Sequence, residues 1–526
     1  MWGYLAVAAV MAGAATIERV ALIYFHRNWF RQGFAGDGAF HLAVVRELKR
    51  TGRYRGIPYF LMTDANEPDT YPILFHRFAA LFPARLIEKR AYLPNLVIWV
   101  LLCAAASLYV HYIATALLHR DGVATALVFT AVFLTAASNL SLEANGLNYI
   151  SLSERLIARF SCAFCFVGLV VGMQFDDPLS YAVAALGGVA ALLSSMFGRQ
   201  AVGFVMPVIA VIALDPRPLY VLAVSTAGAI LVDRSYFLRG LRHMVLFWHA
   251  YNRVVKHSRF FKPALSRWVN WRAVLALRAS LGARLTELEM GEPTQLLIRL
   301  PELALLAFVW IAHDHVPPLA FDTLAAIAVV YLLTTTPYLH HFGESIRYFE
   351  YDCWLLVPLL LAIDFGRADP LPSTALAVYA VWVALFTSRR IYGWCRFRFP
   401  ATDQMRDLVR RAGLTPESTV FTVPLHLGAE VSARALCRTF NYQGAAITLD
   451  LYRRFVEEVP MLKRDWQSLA VEYGVTHIVA DKRHLQVLPS VLGWAYDFSS
   501  LPLLGESDFY IAYGVPASAL AAARAE

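Results

Sequence analysis

The sequence predicts an α-helical polytopic membrane protein of about eleven transmembrane helices with a C-terminal soluble α/β domain. Three observations carry this. The 526 residues are 58% hydrophobic and only 16% charged, and their mean hydropathy of +0.49 lies far from that of an average soluble domain. The apolar residues fall into runs of roughly 15–25, long enough as helices to cross a hydrocarbon core of about 30 Å, where only helices or closed barrels satisfy the backbone. From about residue 400 these runs give way to short β-rich stretches that alternate with helical ones.

Taken in order, the first run (1–25) has no basic leader and no clear cleavage site and contains Glu18 and Arg19, so it reads as a retained span rather than a signal peptide. A polar interval, 26–90, follows it. Further spans are expected at 91–118, 123–140, 156–175, 179–195, 201–214 and 218–232. The tight links His119-Arg120-Asp121-Gly122, Asp176-Asp177-Pro178 and Asp215-Pro216-Arg217 fall on one side of the membrane, and the long loops on the other. Arg120, Arg217 and Arg367 mark the short-link side as cytoplasmic, because long loops cross largely regardless of charge.

Between 233 and 299 arginines interleave with aromatic residues (Arg234, Arg239, Arg242, Trp248, Arg253, Trp268, Trp271), as in a segment lying in the interface with cations toward the headgroups. Spans resume at 300–312, 318–338, 353–365 and 371–388. Residues 1–399 are therefore read as the transmembrane domain, with outer loops 26–90 and 233–299. Residues 400–526 are read as an outer α/β domain with a helix at 403–412, a strand at 419–423, a helix near 451–473 and strands at 476–480 and 509–513.

A net charge of +8 raises the question of nucleic acid. No nucleic-acid motif supports that partner, and in a membrane protein a basic excess meets lipid phosphate. The heavy skew from lysine to arginine points to a GC-rich bacterial source, hence to the cytoplasmic (inner) membrane with the C-terminal domain periplasmic. Of the six cysteines, Cys162 and Cys165 share a helix face and read as packing. His313-Asp314-His315 sits in an expected cytoplasmic turn without further ligands, and reads as no metal site.

Chemistry gathers in the first outer loop. Asp37 lies between Gly36 and Gly38, where the backbone turns tightly and a substrate can approach closely. Its bland reading is a solvated cap on the helix that starts near Ala39. Gly36-Asp37-Gly38-Ala39-Phe40-His41 and Tyr71-Pro72-Ile73-Leu74-Phe75-His76 together resemble the first outer loop of the GT-C membrane glycosyltransferases, in which an acid after the first span is followed by a helix along the membrane and a Tyr-Pro entry to the second span. The layout resembles that superfamily over most of the chain: a long outer loop after the seventh span, an Arg-Tyr loop at 344–350 and a C-terminal α/β domain.

The resemblance implies transfer of a sugar from a polyprenyl-phosphate donor to an acceptor hydroxyl on a lipid or glycan, with Asp37 as general base and His41, Tyr71 and His76 beside it on substrate. Arginine's planar donor fork suits the leaving lipid phosphate. The candidates are Arg347, flanked by Glu344, Glu350 and His340-His341, then Arg199, and Arg155 or Arg159; each also reads as an interface anchor. Metal-dependent members such as oligosaccharyltransferases carry Asp-x-Asp here, and this chain has Gly-Asp-Gly, so neither metal nor cofactor is expected. The rival readings are a lipid-linked saccharide flippase, which should show paired halves or broken helices, and an acyltransferase using His340 or His341.

Overall fold

A computed structural model describes residues 2–25, 38–52, 72, 74–141, 152–253, 296–297, 299–313, 318–336, 339, 342, 345–353, 355–365, 379–385, 387–388, 403–425, 427–440 and 466–516. Among them, Trp2–Tyr24, Leu93–Leu117, Arg155–Phe175, Arg217–His249 and Pro318–Thr335 are helices long and apolar enough to cross a membrane, and Gly122–Ala136, Pro178–Ser194 and Met196–Ile212 are shorter apolar ones. The helices are α1 (Trp2–Phe25), α2 (Gly38–Thr51), α3 (Leu74–Ala79), α4 (Ala84–Lys89), α5 (Leu93–Tyr112), α6 (Gly122–Ser141), α7 (Arg155–Phe175), α8 (Pro178–Ser194), α9 (Met196–Ile212) and α10 (Arg217–Arg253). They continue with α11 (Glu302–His313), α12 (Pro318–Thr335), α13 (Ile346–Asp352) and α14 (Leu356–Phe365).

The tight links have local causes. Asp176 takes the left-handed conformation that ends α7, Asp177 accepts from the Ser180 amide at 2.8 Å, and Pro178 opens α8 with its φ already set. At the other end of α8 a single residue turns the chain: Ser195 is extended and caps α9 by accepting from the Gly198 amide at 2.8 Å. Residues 196–200, expected as a link between two spans, are thus the start of α9.

Helices α7 and α8 form the most intimate pair. A Cβ at Gly168 would stand 2.6 Å from the Ala184 amide nitrogen, and one at Gly187 would stand 2.6 Å from that of Cys165. Small residues let the backbones touch, as between membrane helices generally. Cys162 and Cys165 are buried, free thiols in this contact region.

The span expected to stop at 232 meets a break at the next residue. Helix α10 runs on to Arg253 through a break at Asp233, whose carboxylate accepts from the Tyr236 amide at 3.1 Å and so starts a second helix. Arg77 on α3 pairs with the same carboxylate at 3.1 Å, tying the break to the first outer loop. Most of the expected interfacial segment, 254–295, lies outside the described residues.

The C-terminal part builds α15 (Asp403–Arg411), β1 (Thr419–Val423), α16 (Leu427–Ala435), β2 (Arg438–Thr439), α17 (Trp466–Tyr473), β3 (His477–Asp481), α18 (Lys482–Leu492), β4 (Leu503–Glu506) and β5 (Tyr510–Gly514). The strand order is β2-β1-β3-β5-β4. β2, β1 and β3 are parallel, and β5 and β4 add antiparallel. Alternating residues of β1 send Val420 into a core with α15 and α16, and Phe421 and Val423 into one with α17 and α18, so helices cover both faces.

Candidate active site

Helix α2 begins one residue after Asp37, and Gly38 to Val45 are all buried. The resemblance implied a helix lying along the membrane surface. Helix α2 is covered by other parts of the chain, because Ala39 to Val45 are apolar nearly all round apart from His41, and a helix of that kind needs cover on every side. Part of the cover is α16: Ala429 and Ala433 join the main core, and the Arg46 guanidinium donates to the Ala433 carbonyl while pairing with Glu88. A cation at the carbonyl end of α16 is favourably placed.

Within this cover three polar groups meet. His76 Nδ1 lies 3.1 Å from the Pro72 carbonyl oxygen, and its Nε2 lies 2.9 Å from His41 Nδ1. His41 Nε2 in turn lies 2.9 Å from Glu154 Oε2. Phe40 and Phe75 pack edge-on against the imidazoles. Burial, and next the nearness of His41, push His76 down to about 3, so it is neutral. Neither histidine offers a side chain to solvent; the two are hydrogen-bonded to each other, and His41 stands against the Glu154 carboxylate.

The residue after Glu154 leads into a second cluster. Glu350 on α13 is buried, and its carboxylate receives Arg159 Nη2 at 3.0 Å, Arg347 Nη1 at 3.3 Å and Arg299 Nη1. Burial alone would push the Glu350 carboxyl up. The fields of Arg347, Arg159, Arg299 and Arg155 reverse this and hold it well below the ordinary carboxylate range. Four guanidinium groups thus act on one carboxylate. The Arg347 guanidinium also stands 5.4 Å from the Phe197 ring centre, which fixes its plane.

The sequence-derived candidates are distributed unevenly. Arg347, Arg155 and Arg159 come together. His41 and His76 meet each other in the buried relay. Arg199 does not join the arginine cluster: its Nε donates to the Leu192 carbonyl at 2.7 Å, and its guanidinium lies 5.7 Å and 5.8 Å from the Tyr236 and Phe237 rings on α10. Asp37, Tyr71 and Glu344 lie outside the described residues, as do His340 and His341. Sequence reading passed over Glu154 and Arg299, and treated Glu350 only as a flank of Arg347. The one signal was that Glu154 and Arg155 adjoin at the mouth of a span, where charges are costly.

No protein-family model matches the chain, and no curated protein sequence matches it. Solved structures do. It superposes on the crystal structure of ArnT from Cupriavidus metallidurans bound to undecaprenyl phosphate with a TM-score of 0.50 and 16% identity, over 95% of this chain and 97% of that one. The crystal structure of the Archaeoglobus fulgidus oligosaccharyltransferase in the apo form gives a TM-score of 0.50 at 12% identity, over 94% of this chain and 71% of that one. The likeness is one of fold: the chain shares the architecture of these two structures over nearly its whole length.

Proposed function

We propose that this protein is a membrane glycosyltransferase that moves a sugar from a polyprenyl-phosphate donor to an acceptor hydroxyl on a lipid or glycan, at the outer face of the bacterial cytoplasmic membrane. The observation that carries the reading is the convergence of Arg347, Arg159, Arg299 and Arg155 on Glu350 in a GT-C-like fold. The similar ArnT structure holds undecaprenyl phosphate, a ligand of the same chemistry.

In this reading the arginines receive the phosphate of the donor. As the acceptor oxygen attacks the anomeric carbon, the bond from that carbon to the phosphate oxygen breaks and the lipid phosphate departs as an anion. The guanidinium forks stabilise the charge that grows on it. Asp37 takes the acceptor's proton, and attack opposite the leaving group inverts the anomeric centre. No divalent metal is required, since Gly-Asp-Gly stands where metal-dependent members carry Asp-x-Asp.

The test is transfer by the purified protein in lipid nanodiscs from a panel of polyprenyl-phosphate sugars, followed by mass spectrometry and with and without chelator. Asp37→Asn keeps the shape but cannot take the proton, so turnover should fall by roughly 10²–10⁴-fold while donor binding survives. Wild-type turnover in that variant would remove Asp37 as the base. Inhibition by chelator that manganese or magnesium reverses would overturn the metal-free reading.

A further inference from the structure

Three residues separate α4 from α5, a helix long and apolar enough to cross a membrane, so α4 lies at a membrane boundary. Ile87 anchors it inward and is fully buried. Leu86 beside it is 39% exposed, and Leu81, in the turn before α4, is 79% exposed. Around these leucines one sign of charge prevails. The last turns of α2 and residues 85–90 carry six cations, Arg46, Lys49, Arg50, Arg85, Lys89 and Arg90, against two acids, Glu47 and Glu88. Both acids are taken: Arg46 pairs with Glu88 and so joins α2 to α4, and Arg50 holds Glu47 at 3.0 and 2.7 Å. Lys49 lies one turn beyond Arg46 and Arg85 one turn before Glu88, so that pair brings the remaining cations of the two helices together. Lys49, Arg85, Lys89 and Arg90 are exposed and have no acidic partner among the described residues.

We infer that this patch is a binding surface for an anionic phospholipid of the surrounding membrane, with the headgroup phosphate among Lys49, Arg85, Lys89 and Arg90 and the acyl chains along Leu81 and Leu86. Exposed leucines beside cations, at the start of a span, fit a ligand that is apolar on one side and anionic on the other. A soluble anion would use the cations and leave the leucines in water. A zwitterionic lipid would cover the leucines and leave the cations unneutralised.

The lipid should also steady the fold. Like charges crowded on the joint between α2 and α4 repel one another, and an anion bound only to the folded chain relieves that repulsion. Arg46 gives the effect a route inward, since it also donates to the Ala433 carbonyl at the end of α16. None of these cations is among those acting on Glu350, so the surface is distinct from the proposed donor site.

The experiment follows thermal unfolding of the full chain in detergent as palmitoyl-oleoyl phosphatidylglycerol, the matching phosphatidylcholine or inorganic phosphate is added. It compares wild type with Arg85→Gln/Lys89→Gln, with Lys49→Gln/Arg90→Gln, and with a control, Arg411→Gln/Arg438→Gln, at exposed positions of the C-terminal domain. Wild type should be stabilised by phosphatidylglycerol alone, and added salt should weaken the effect. A cation at an anionic surface contributes about fivefold in affinity, so each patch variant should need roughly 25-fold more phosphatidylglycerol for the same shift. Without lipid both should be at least as stable as wild type, and the control should respond as wild type does. The inference is overturned if phosphatidylglycerol does not stabilise wild type, or if phosphatidylcholine does so equally. An equal response to inorganic phosphate would make the site one for free anions and overturn it too. So would a wild-type response in a patch variant, which places the lipid elsewhere, or an equal loss in the control. The two patch variants remove different halves of the surface, so either one that folds decides the question. No arm measures sugar transfer: inactivity against every donor would overturn the proposed function and leave this inference standing.

Discussion

Glu350 and Asp352 sit two residues apart on α13, both buried, and meet opposite fates. Glu350 is surrounded by guanidinium groups and stays ionised. Asp352 has no hydrogen-bond partner on either carboxylate oxygen among the described residues, and burial pushes it well above the usual carboxylate range. The sign of the pH effect follows. In the unfolded chain Asp352 ionises above about pH 4, while the folded group keeps its proton, so the folded state binds more protons and stability falls as pH rises, by about 1.4 kcal/mol per unit until the folded group ionises too. Asp352→Asn removes that slope. Its melting temperature should exceed the wild type's near pH 8 and match it near pH 4; parallel curves would show that Asp352 is ionised in the fold. Arg347 gives the companion prediction for binding: Arg347→Ala should weaken donor affinity by about ten- to a hundredfold, the worth of a charge-assisted hydrogen bond. Arg347→Lys should recover only part, because a point charge cannot reproduce the fork, and wild-type kinetics in both would exclude it from the phosphate site. Arg347 was legible in the sequence because an arginine between acids in an outer loop is conspicuous. Arg299 was not, since before a span it is indistinguishable from an interface anchor, and only the folded chain brings it to a carboxylate 51 positions away.

At the scale of elements, spans were legible where a cap or breaker stops the helix, as at Asp176-Asp177-Pro178. They were legible too at Asp233, where the backbone leaves the helix and the side chain caps the start of a second one. The cover on helix α2 was missed for its own reason: its charges cluster in the last turns, at Arg46, Glu47, Lys49 and Arg50, while its first two turns are apolar but for His41. That half needed a cover, and periodicity cannot say that a segment nearly 400 residues later supplies it. The α7–α8 contact can be tested directly. Gly187→Leu sets a side chain against the Cys165 backbone, which cannot move aside as a flexible side chain could, so the helices must separate at a cost of about 1–3 kcal/mol. Gly203→Ala, at a helical position with nothing within 4 Å, should be neutral or slightly stabilising. Equal melting temperatures for the two variants would mean that the close approach is not needed.

For the molecule as a whole, the docking of α16 on α2 joins the segment after the first span to the C-terminal domain, and this contact constrains topology more tightly than any count of spans. Ala429 and Ala433 sit in the same core as Phe40 and Val44, and Arg46 bonds the end of α16, so the loop after α1 and the C-terminal domain must lie on one face of the membrane. The alternation of short and long links suggested the same face from sequence alone, but through an odd number of crossings that any one misplaced span would reverse. Cys437 cannot report the answer, because it is buried. Single cysteines introduced at the exposed positions Thr51, Ser499 and Asp121 can, read against the unmodified chain with a membrane-impermeant maleimide on intact cells. Thr51→Cys and Ser499→Cys should label together, and Asp121→Cys, in a short link, only after the membrane is opened. Opposite behaviour of positions 51 and 499 would be incompatible with the α2–α16 contact. Labelling of all three from outside would leave that contact standing and place the short links on the wrong side.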